Sequence, residues 1–300
     1  MKIKKAFRNA EKKNIAIGHF NVSNLETFEA VVRASSKTRR PVIVGVSEGA
    51  ISHAGIDFFI WAKEHFGKKY PKANFFLHLD HGRDIDILRG AIDGGFDSVM
   101  IDASHFDFKK NIYLTRYIVK KAHKKGVFVE AEIGRIGNLE EGVGSSGIVL
   151  TTPFEALEFA GKTGCDLLAV SIGTTHGPNK FAKKSKLEFE NLKRIKAVVN
   201  IPLVLHGASE VRSEKIRSLK KLGCDLGSVV GVNERDLRKA IRLGIRKVNN
   251  DTDLQIVMAE AILEELKGKK KEIKIYKILE KASDLLEEDV VRKIRLFTKP

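Results

Sequence analysis

Short apolar runs recur along the whole chain, and stretches with helical periodicity separate them. Most of these runs carry apolar residues on both faces, which is typical of buried parallel strands. Eight strands that each precede a helix predict one α/β domain over residues 1–300, a (β/α)8 TIM barrel. The predicted strands are 15–20, 41–47, 74–80, 97–102, 127–133, 167–173, 201–206 and 245–250.

Two regions exceed a minimal barrel. Residues 210–244 contain two helical stretches and a glycine-rich patch, which predicts an excursion between strands seven and eight. Residues 272–297 predict one or two further C-terminal helices. No low-complexity linker separates either region from the rest, so we expect both to be additions to the same barrel domain.

The chain has 300 residues and a net charge of +16, which invites a nucleic-acid interpretation. Its lysines occur mostly as scattered pairs that are not interleaved with aromatic residues, so a nucleic-acid partner is not expected. A basic surface can instead steer an anionic substrate toward the protein.

No stretch of 18 apolar residues occurs, so the sequence predicts no membrane-spanning helix. The basic start, MKIKKAFRNAEKKN, lacks the apolar run of a secretory signal. Cys165 and Cys224 do not form a disulfide framework, and the cytoplasm is the expected location.

Three apolar runs end in a histidine: FFLHLDHG, LLAVSIGTTHG and PLVLHGAS. They place His81, His176 and His206 at the carboxyl ends of strands three, six and seven, where barrel active sites form. Three imidazoles with an open fourth position are typical of catalytic zinc. His78 is interpreted as a core residue or a partner of the site, and His105 is left open. Ordinary hydrogen-bonded polar roles are expected for His19, His53, His65 and His123.

Carboxylates also gather at these strand ends. Asp80 precedes His81, Asp102 ends strand four, and Glu130 and Glu132 lie on strand five. A carboxylate beside a metal can transfer protons, which makes Asp80 a candidate acid/base. Alternatively, Asp80 caps a helix or holds a ligand imidazole.

Small and polar residues suggest a phosphate site beside the histidines. Gly177 and Gly207 follow two of the histidines and allow close backbone approach to an anion. Ser209 and Asn249–Thr252 begin predicted helices after strands seven and eight, a common phosphate site in such barrels. The segment 134–147 carries Glu140 and Glu141 and is either a mobile lid or an ordinary surface loop.

Several of these segments together resemble the class II, metal-dependent ketose-bisphosphate aldolases, chiefly the fructose-1,6-bisphosphate aldolases. The resemblance covers nearly the whole chain, and its motifs are specific as a set. The matching segments are FNVSNLETFEAVV (20–32), VSEGA (46–50), HLDHG (78–82), GFDSVMIDASH (95–105), VEAEIGRIG (129–137), IGTTHGPNK (172–180), LVLHGAS (203–209) and KVNNDTDL (247–254).

The resemblance implies a role for each matching residue. Asp80 matches the acid/base at the substrate's C4 hydroxyl, and Glu140 matches the loop carboxylate that removes a proton from C1 of dihydroxyacetone phosphate. Asn21 and Ser47 match positions near the second phosphate. The implied zinc site comprises His81, His176 and His206, with Glu132 and Asp102 able to bind a displaced or second cation. Residues implied to hold dihydroxyacetone phosphate or a monovalent cation (Na⁺ or K⁺) are Gly177, Lys180, Gly207, Ser209, Asn249, Asp251 and Thr252.

The implied activity is zinc-dependent, reversible cleavage of fructose 1,6-bisphosphate to dihydroxyacetone phosphate and glyceraldehyde 3-phosphate through a metal-stabilised enediolate. Tagatose 1,6-bisphosphate is the alternative substrate, and an inactive barrel that binds phosphorylated ligands or RNA is the alternative class. A homodimer or homotetramer is implied.

The chain departs from the family near its C-terminus, where an Asp-Pro-Arg segment usually reaches the neighbouring subunit's phosphate. The corresponding stretch reads KKKEIKIYKIL and has no arginine, so Lys274 and Lys277 are the candidate replacements. Either lysine would lose the bidentate geometry of a guanidinium. The family pattern also leaves open whether Glu140 or Glu141 is the loop base.

Overall fold

Eight parallel strands close into a barrel in a computed structural model of the chain. The structure describes residues 2–134, 137–138, 149–176, 187–227, 229, 231–267 and 273–299, with backbone only for 137–138 and 175–176. Each strand pairs with its neighbours along the chain, and β1 closes on β8, so the predicted (β/α)8 barrel is confirmed. The strands are β1 (Ile17–Asn21), β2 (Pro41–Ser47), β3 (Asn74–Gly82), β4 (Ser98–Ile101), β5 (Phe128–Ile133), β6 (Leu167–Val170), β7 (Leu203–Leu205) and β8 (Ile245–Asn250).

Twelve helices lie in the described ranges, mostly around the barrel. They are α1 (Lys2–Lys13), α2 (Leu25–Thr38), α3 (Glu48–Ala54), α4 (Ile56–Lys69), α5 (Ile85–Asp93), α6 (Phe108–Lys124), α7 (Pro153–Thr163), α8 (Phe189–Val198), α9 (Ser213–Lys221), α10 (Glu234–Arg242), α11 (Thr252–Lys267) and α12 (Ile275–Thr298). Helices α9 and α10 lie between β7 and β8, and one long helix, α12, follows α11 and packs against α2. Within the described ranges, no helix is both long and apolar enough to cross a membrane.

Local sequence signals account for where the helices begin. Asn24 caps α2 through a reciprocal pair of hydrogen bonds with Thr27, and Thr152 caps α7 in the same way with Glu155. Pro153 occupies the first turn of α7, where its missing N–H costs no hydrogen bond. The cap at Asn24 lies three residues beyond the end of β1, so it fixes where the chain turns from this strand into α2.

The interior of the barrel changes from apolar to polar along its axis. At the amino end, Ile17, Ile43, Phe76 and Phe128 form a core that α1 covers with Phe7. Residues two positions further along each strand share the same face, because side chains alternate across a strand. Two positions further along lie His19, Gly45, His78 and Glu130, and the Lys247 side chain of β8 contacts Glu130 there.

Candidate metal centre and active site

A β-bulge brings two neighbouring polar residues to the same end of the barrel. Leu79 pairs with Val99 and Gly82 with Ile101, so Asp80 and His81 together oppose a single residue of β4. His81 has a left-handed φ of 48°. This backbone conformation is energetically unfavourable for a residue other than glycine, and residues that adopt it are often found at functional sites. In a regular strand neighbouring side chains would point to opposite faces, and the bulge is what allows both to approach His206.

Two imidazoles face one another across the barrel mouth. His81 Nε2 lies 3.0 Å from His206 Nδ1, and the ring centroids are 4.7 Å apart. The opposite ring nitrogens each contact a carboxylate: His81 Nδ1 lies 3.1 Å from Asp102 Oδ2, and His206 Nε2 lies 2.8 Å from Glu130 Oε1. Carboxylates that orient imidazoles in this way are typical of metal sites.

The donor set suits a divalent metal such as zinc. Ligand atoms of Asp80, His81 and His206 all lie within 4.8 Å of one another. Glu132 Oε2 is 3.2 Å from His206 Nδ1 and is buried without a hydrogen bond in the described part of the chain. Imidazole nitrogen and carboxylate oxygen are ordinary zinc ligands, and a buried carboxylate oxygen of this kind requires a partner.

The electrostatics of the pair favour a cation between the rings. Burial opposes protonation of His81, but Asp80, Asp102 and Glu132 outweigh burial and raise the pKa of His81 to about 10. Burial likewise opposes protonation of His206, and Glu130 and Glu132 raise its pKa. The surrounding carboxylates therefore create a negative field at the point where the two rings meet.

Asp80 is held as a buried, ionised carboxylate. Burial would raise its pKa, but His19, His81 and Lys247 outweigh burial and hold the pKa well below its usual value. Its Oδ2 accepts a hydrogen bond from Asn21 Nδ2 at 2.9 Å, and its Oδ1 accepts one from Asn249 Nδ2 at 3.2 Å. These two amides orient the carboxylate, and neither supplies a charge.

Asp102 lies behind His81. Its Oδ2 contacts His81 Nδ1 and accepts hydrogen bonds from Arg83, while its Oδ1 accepts one from Ser104 Oγ at 2.7 Å. With both oxygens engaged, Asp102 is placed to orient His81. Of the two nominated carboxylates, Glu132 is the one that contacts His206 Nδ1, the ring nitrogen that also faces His81.

Among the described residues, those nominated to bind substrate lie either at the ends of β1 and β2 or at and just beyond the ends of β7 and β8. Asn21 donates to Asp80, and Ser47 is the register partner of Asp80 on β2 while its hydroxyl also caps α3 by accepting from the Ala50 N–H at 3.2 Å. Gly207 has a positive φ of 59° just after β7. Ser209 Oγ accepts from the Asp251 N–H at 3.4 Å, which joins the loops after β7 and β8.

Thr252 begins α11 directly beyond Asp251, so the predicted helix start after β8 is present. Asp251 Oδ1 accepts a hydrogen bond from Gln255 in the first turn of α11, 2.9 Å away. Lys274 directly precedes α12, Lys277 lies in its first turn, and both are exposed.

Several nominated residues fall on parts of the chain that the structure does not describe. Glu140, Gly177 and Lys180 lie outside the described residues, and so does Glu141. The backbone of Thr175–His176 forms a short parallel pair with Gly137–Asn138, and the His176 side chain lies outside the description.

The sequence interpretation missed a layer of buried polar residues beneath His81 and His206. The prediction that His19 is an ordinary hydrogen-bonded residue is wrong: it is fully buried, and neither ring nitrogen makes a hydrogen bond within the described ranges. Its Nε2 lies 3.8 Å from Asp80 Oδ2, and Gly45 leaves room for the ring, since a Cβ there would lie 1.8 Å from Nε2.

Lys247 and Glu130 were not assigned roles either, although a visible signal existed. Both are charged residues inside strands, and each stands two positions before a nominated residue, Asn249 and Glu132 respectively. Successive side chains of a strand point to opposite faces, so residues two positions apart share one face. If Asn249 and Glu132 point into the barrel, Lys247 and Glu130 do so too.

Comparisons with known proteins show the family to which the chain is similar. The family model described as fructose-bisphosphate aldolase class-II matches residues 1–299. A fructose-bisphosphate aldolase from Helicobacter pylori (strain ATCC 700392 / 26695) is 38% identical over 290 residues, which cover 96% of this chain and 94% of that protein. One from Thermus caldophilus is 38% identical over 294 residues, covering 97% and 95% of the two chains.

Two solved structures that resemble this chain are also aldolases. The YdjI aldolase from Escherichia coli K12 superposes with a TM-score of 0.79 at 32% identity, covering 98% of this chain and 96% of that one. The fructose-bisphosphate aldolase from Campylobacter jejuni has a TM-score of 0.76 at 21% identity over 98% and 93% of the chains, which supports the fold alone. With its family model matched almost end to end and its relatives covered almost completely, the chain belongs to the class II fructose-bisphosphate aldolase family.

Proposed function

We propose that this protein catalyses the metal-dependent, reversible cleavage of fructose 1,6-bisphosphate to dihydroxyacetone phosphate and glyceraldehyde 3-phosphate. The observation that carries the proposal is the convergence of His81, His206 and Asp80 at the carboxyl end of the barrel. Relatives at 38% identity bear the name of this activity, and they cover nearly the whole chain.

Zinc is the proposed metal. His81 Nε2 and His206 Nδ1 are the proposed ligands, Glu132 lies beside them, and His176 is the proposed third imidazole. When bound, the ion supplies Lewis-acid polarisation of the substrate's ketone, which removes the need for a Schiff-base lysine. Asp102 and Glu130 orient the two described imidazoles from behind.

Asp80 is the proposed base for cleavage. As an ionised carboxylate it takes the proton from the C4 hydroxyl while the C3–C4 bond breaks, and it returns that proton in the condensation direction. Asn21 and Asn249 keep its oxygens in place, so the proton acceptor does not need to reorganise during the step. Glu140 is the proposed carboxylate for proton transfer at C1.

The loops after β7 and β8 are the proposed phosphate site. Gly207, Ser209 and Thr252 place small groups and the N-terminus of the 16-residue helix α11 at this position, where partial positive charge favours an anion. Asn249 and Asp251, together with Gly177 and Lys180, complete the proposed dihydroxyacetone phosphate site, which is also the place proposed for a Na⁺ or K⁺ ion. Asn21 and Ser47 are proposed for the second phosphate. The net charge of +16 would attract a bisphosphate to the protein.

A metal-removal assay with two substrates tests the proposal. We expect chelation to lower cleavage of fructose 1,6-bisphosphate by about a thousandfold or more, since several kcal/mol of transition-state stabilisation depend on the metal, and zinc to restore it. The assay couples dihydroxyacetone phosphate to NADH oxidation, and tagatose 1,6-bisphosphate is run in parallel because it differs only at C4.

Faster cleavage of tagatose 1,6-bisphosphate would reassign the substrate but leave the proposed metal-dependent aldol cleavage unchanged. Undiminished activity in the metal-depleted protein would contradict the proposal. Failure of the zinc-loaded protein to cleave either bisphosphate would favour a barrel that only binds phosphorylated ligands.

Location and assembly stay predictions. The cytoplasm is the proposed location, and both cysteines are free thiols, with Cys165 buried and Cys224 half-buried. The homodimer or homotetramer rests on the family resemblance.

A further inference from the structure

A buried ion pair lies at the centre of the barrel. Lys247 Nζ on β8 is 2.7 Å from Glu130 Oε2 on β5, and both side chains are 0% exposed. Barrel interiors of this fold are usually filled with branched aliphatic side chains. A lysine and a glutamate at this level are therefore an exception that needs a physical reason.

Stability does not supply that reason. Moving both charges out of water carries a desolvation penalty that their mutual attraction often fails to offset, and apolar replacements of similar volume are frequently as stable or more so. The apolar layer one level below, formed by Ile17, Phe76 and Phe128, shows that this barrel also accommodates large apolar side chains.

The pair leads directly to a proposed metal ligand. Glu130 uses Oε2 for Lys247, while its Oε1 lies 2.8 Å from His206 Nε2. His206 is itself 0% exposed, and its Nδ1 points to His81 Nε2, 3.0 Å away. A proton on Nε2 that is donated to Glu130 leaves the lone pair of Nδ1 directed at the metal position.

We propose that Lys247 and Glu130 are positioning residues for the metal: Lys247 holds the Glu130 carboxylate, and Glu130 fixes the tautomer and orientation of His206. The inference rests on the proposed function insofar as it requires a metal at His206. Glu130 without Lys247 would be an unpaired buried charge, which explains why a cation accompanies it. Loss of such an orienting partner typically weakens metal binding ten- to a hundredfold.

The test is the double variant Glu130→Gln/Lys247→Met, which removes both charges and approximately keeps both volumes. Zinc affinity is measured by competition with a chromophoric chelator, and unfolding of the metal-free protein is followed by circular dichroism. We expect a folded protein with a melting temperature near or above that of the wild type and zinc binding about ten- to a hundredfold weaker. Excess zinc should recover cleavage activity. Zinc affinity within twofold of the wild type would overturn the inference.

Arg246→Met is the matched control on the same strand. Arg246 precedes Lys247 and pairs with Glu11 at 2.9 Å, on the side of β8 away from the barrel interior. We expect this variant to melt at a lower temperature with unchanged zinc affinity. An equal loss of zinc affinity in the control would show that removing any cation from β8 suffices, and would overturn the specific role of Lys247.

A measurement on the wild type decides the case even if the double variant does not fold. In the cadmium-113 enzyme, long-range ¹H–¹⁵N spectra should show His206 Nδ1 coupled to the metal and Nε2 carrying a proton. Coupling through Nε2, or an unprotonated Nε2, would overturn the inference. Wild-type protein that binds no metal at His206 would instead refute the proposed metal site, so the two failures are distinguishable.

Discussion

His206→Ala should abolish zinc binding and lower cleavage of fructose 1,6-bisphosphate by about a thousandfold or more. The substitution removes the Nδ1 that faces His81 Nε2 at 3.0 Å, and it leaves the Glu130 carboxylate without its imidazole partner. Metal content is measured by mass spectrometry of the purified protein, and activity is measured with and without added zinc.

The control for this variant is His123→Ala, which removes a half-exposed histidine whose Nε2 contacts Asp166 at 2.8 Å. Both residues precede strands, β5 and β6, so they lie at the amino ends of the strands and not at the carboxyl ends. We expect the control to keep full metal content and activity. Since His206 is fully buried, His206→Gln serves as a second variant that leaves a smaller cavity. An active His206 variant without bound metal would refute the ligand assignment.

The Asp80→Asn variant should still bind the metal but lose most of its cleavage activity. The amide is nearly isosteric with the carboxylate but cannot take a proton, so we expect kcat to fall by about a hundred- to ten-thousandfold with metal content unchanged. Steady-state kinetics at saturating zinc, together with metal analysis, separate the two properties.

Asp86→Asn is the comparison for Asp80. Asp86 is 89% exposed on α5 and pairs with Arg89, so the same chemical change there should leave kcat unaltered. Loss of metal from Asp80→Asn with kcat preserved in the molecules that retain metal would assign Asp80 a ligand role and contradict the proton-transfer role.

The barrel was predictable from sequence because its strands are fully buried. The run 41–47 is so dense in branched apolar residues that its position follows directly, and the observed strand Pro41–Ser47 coincides with it. The observed strand Ile245–Asn250 also has the predicted bounds, although only Ile245 and Val248 in it are apolar. The histidine at the end of β3 and the one after β7 were likewise located by their strands, and closure of the barrel brings them together.

Side-chain direction was harder to predict. The bulge in β3 depends on pairing with β4 and not on the residues of β3 alone, so the approach of both Asp80 and His81 to His206 could not be deduced from an alternating pattern. His19 was misjudged for a related reason: the space for its ring comes from Gly45 on the neighbouring strand, and such a contact is invisible until the strand register is known.

Anomalous X-ray scattering at the zinc edge, recorded from crystals of the zinc-loaded protein, would locate the ion relative to His81 and His206. We expect one strong peak about 2.0–2.1 Å from both His81 Nε2 and His206 Nδ1, at the carboxyl end of the barrel. A zinc peak bound elsewhere, or fully zinc-loaded protein in which these two nitrogens are not ligands, would contradict the proposed metal site.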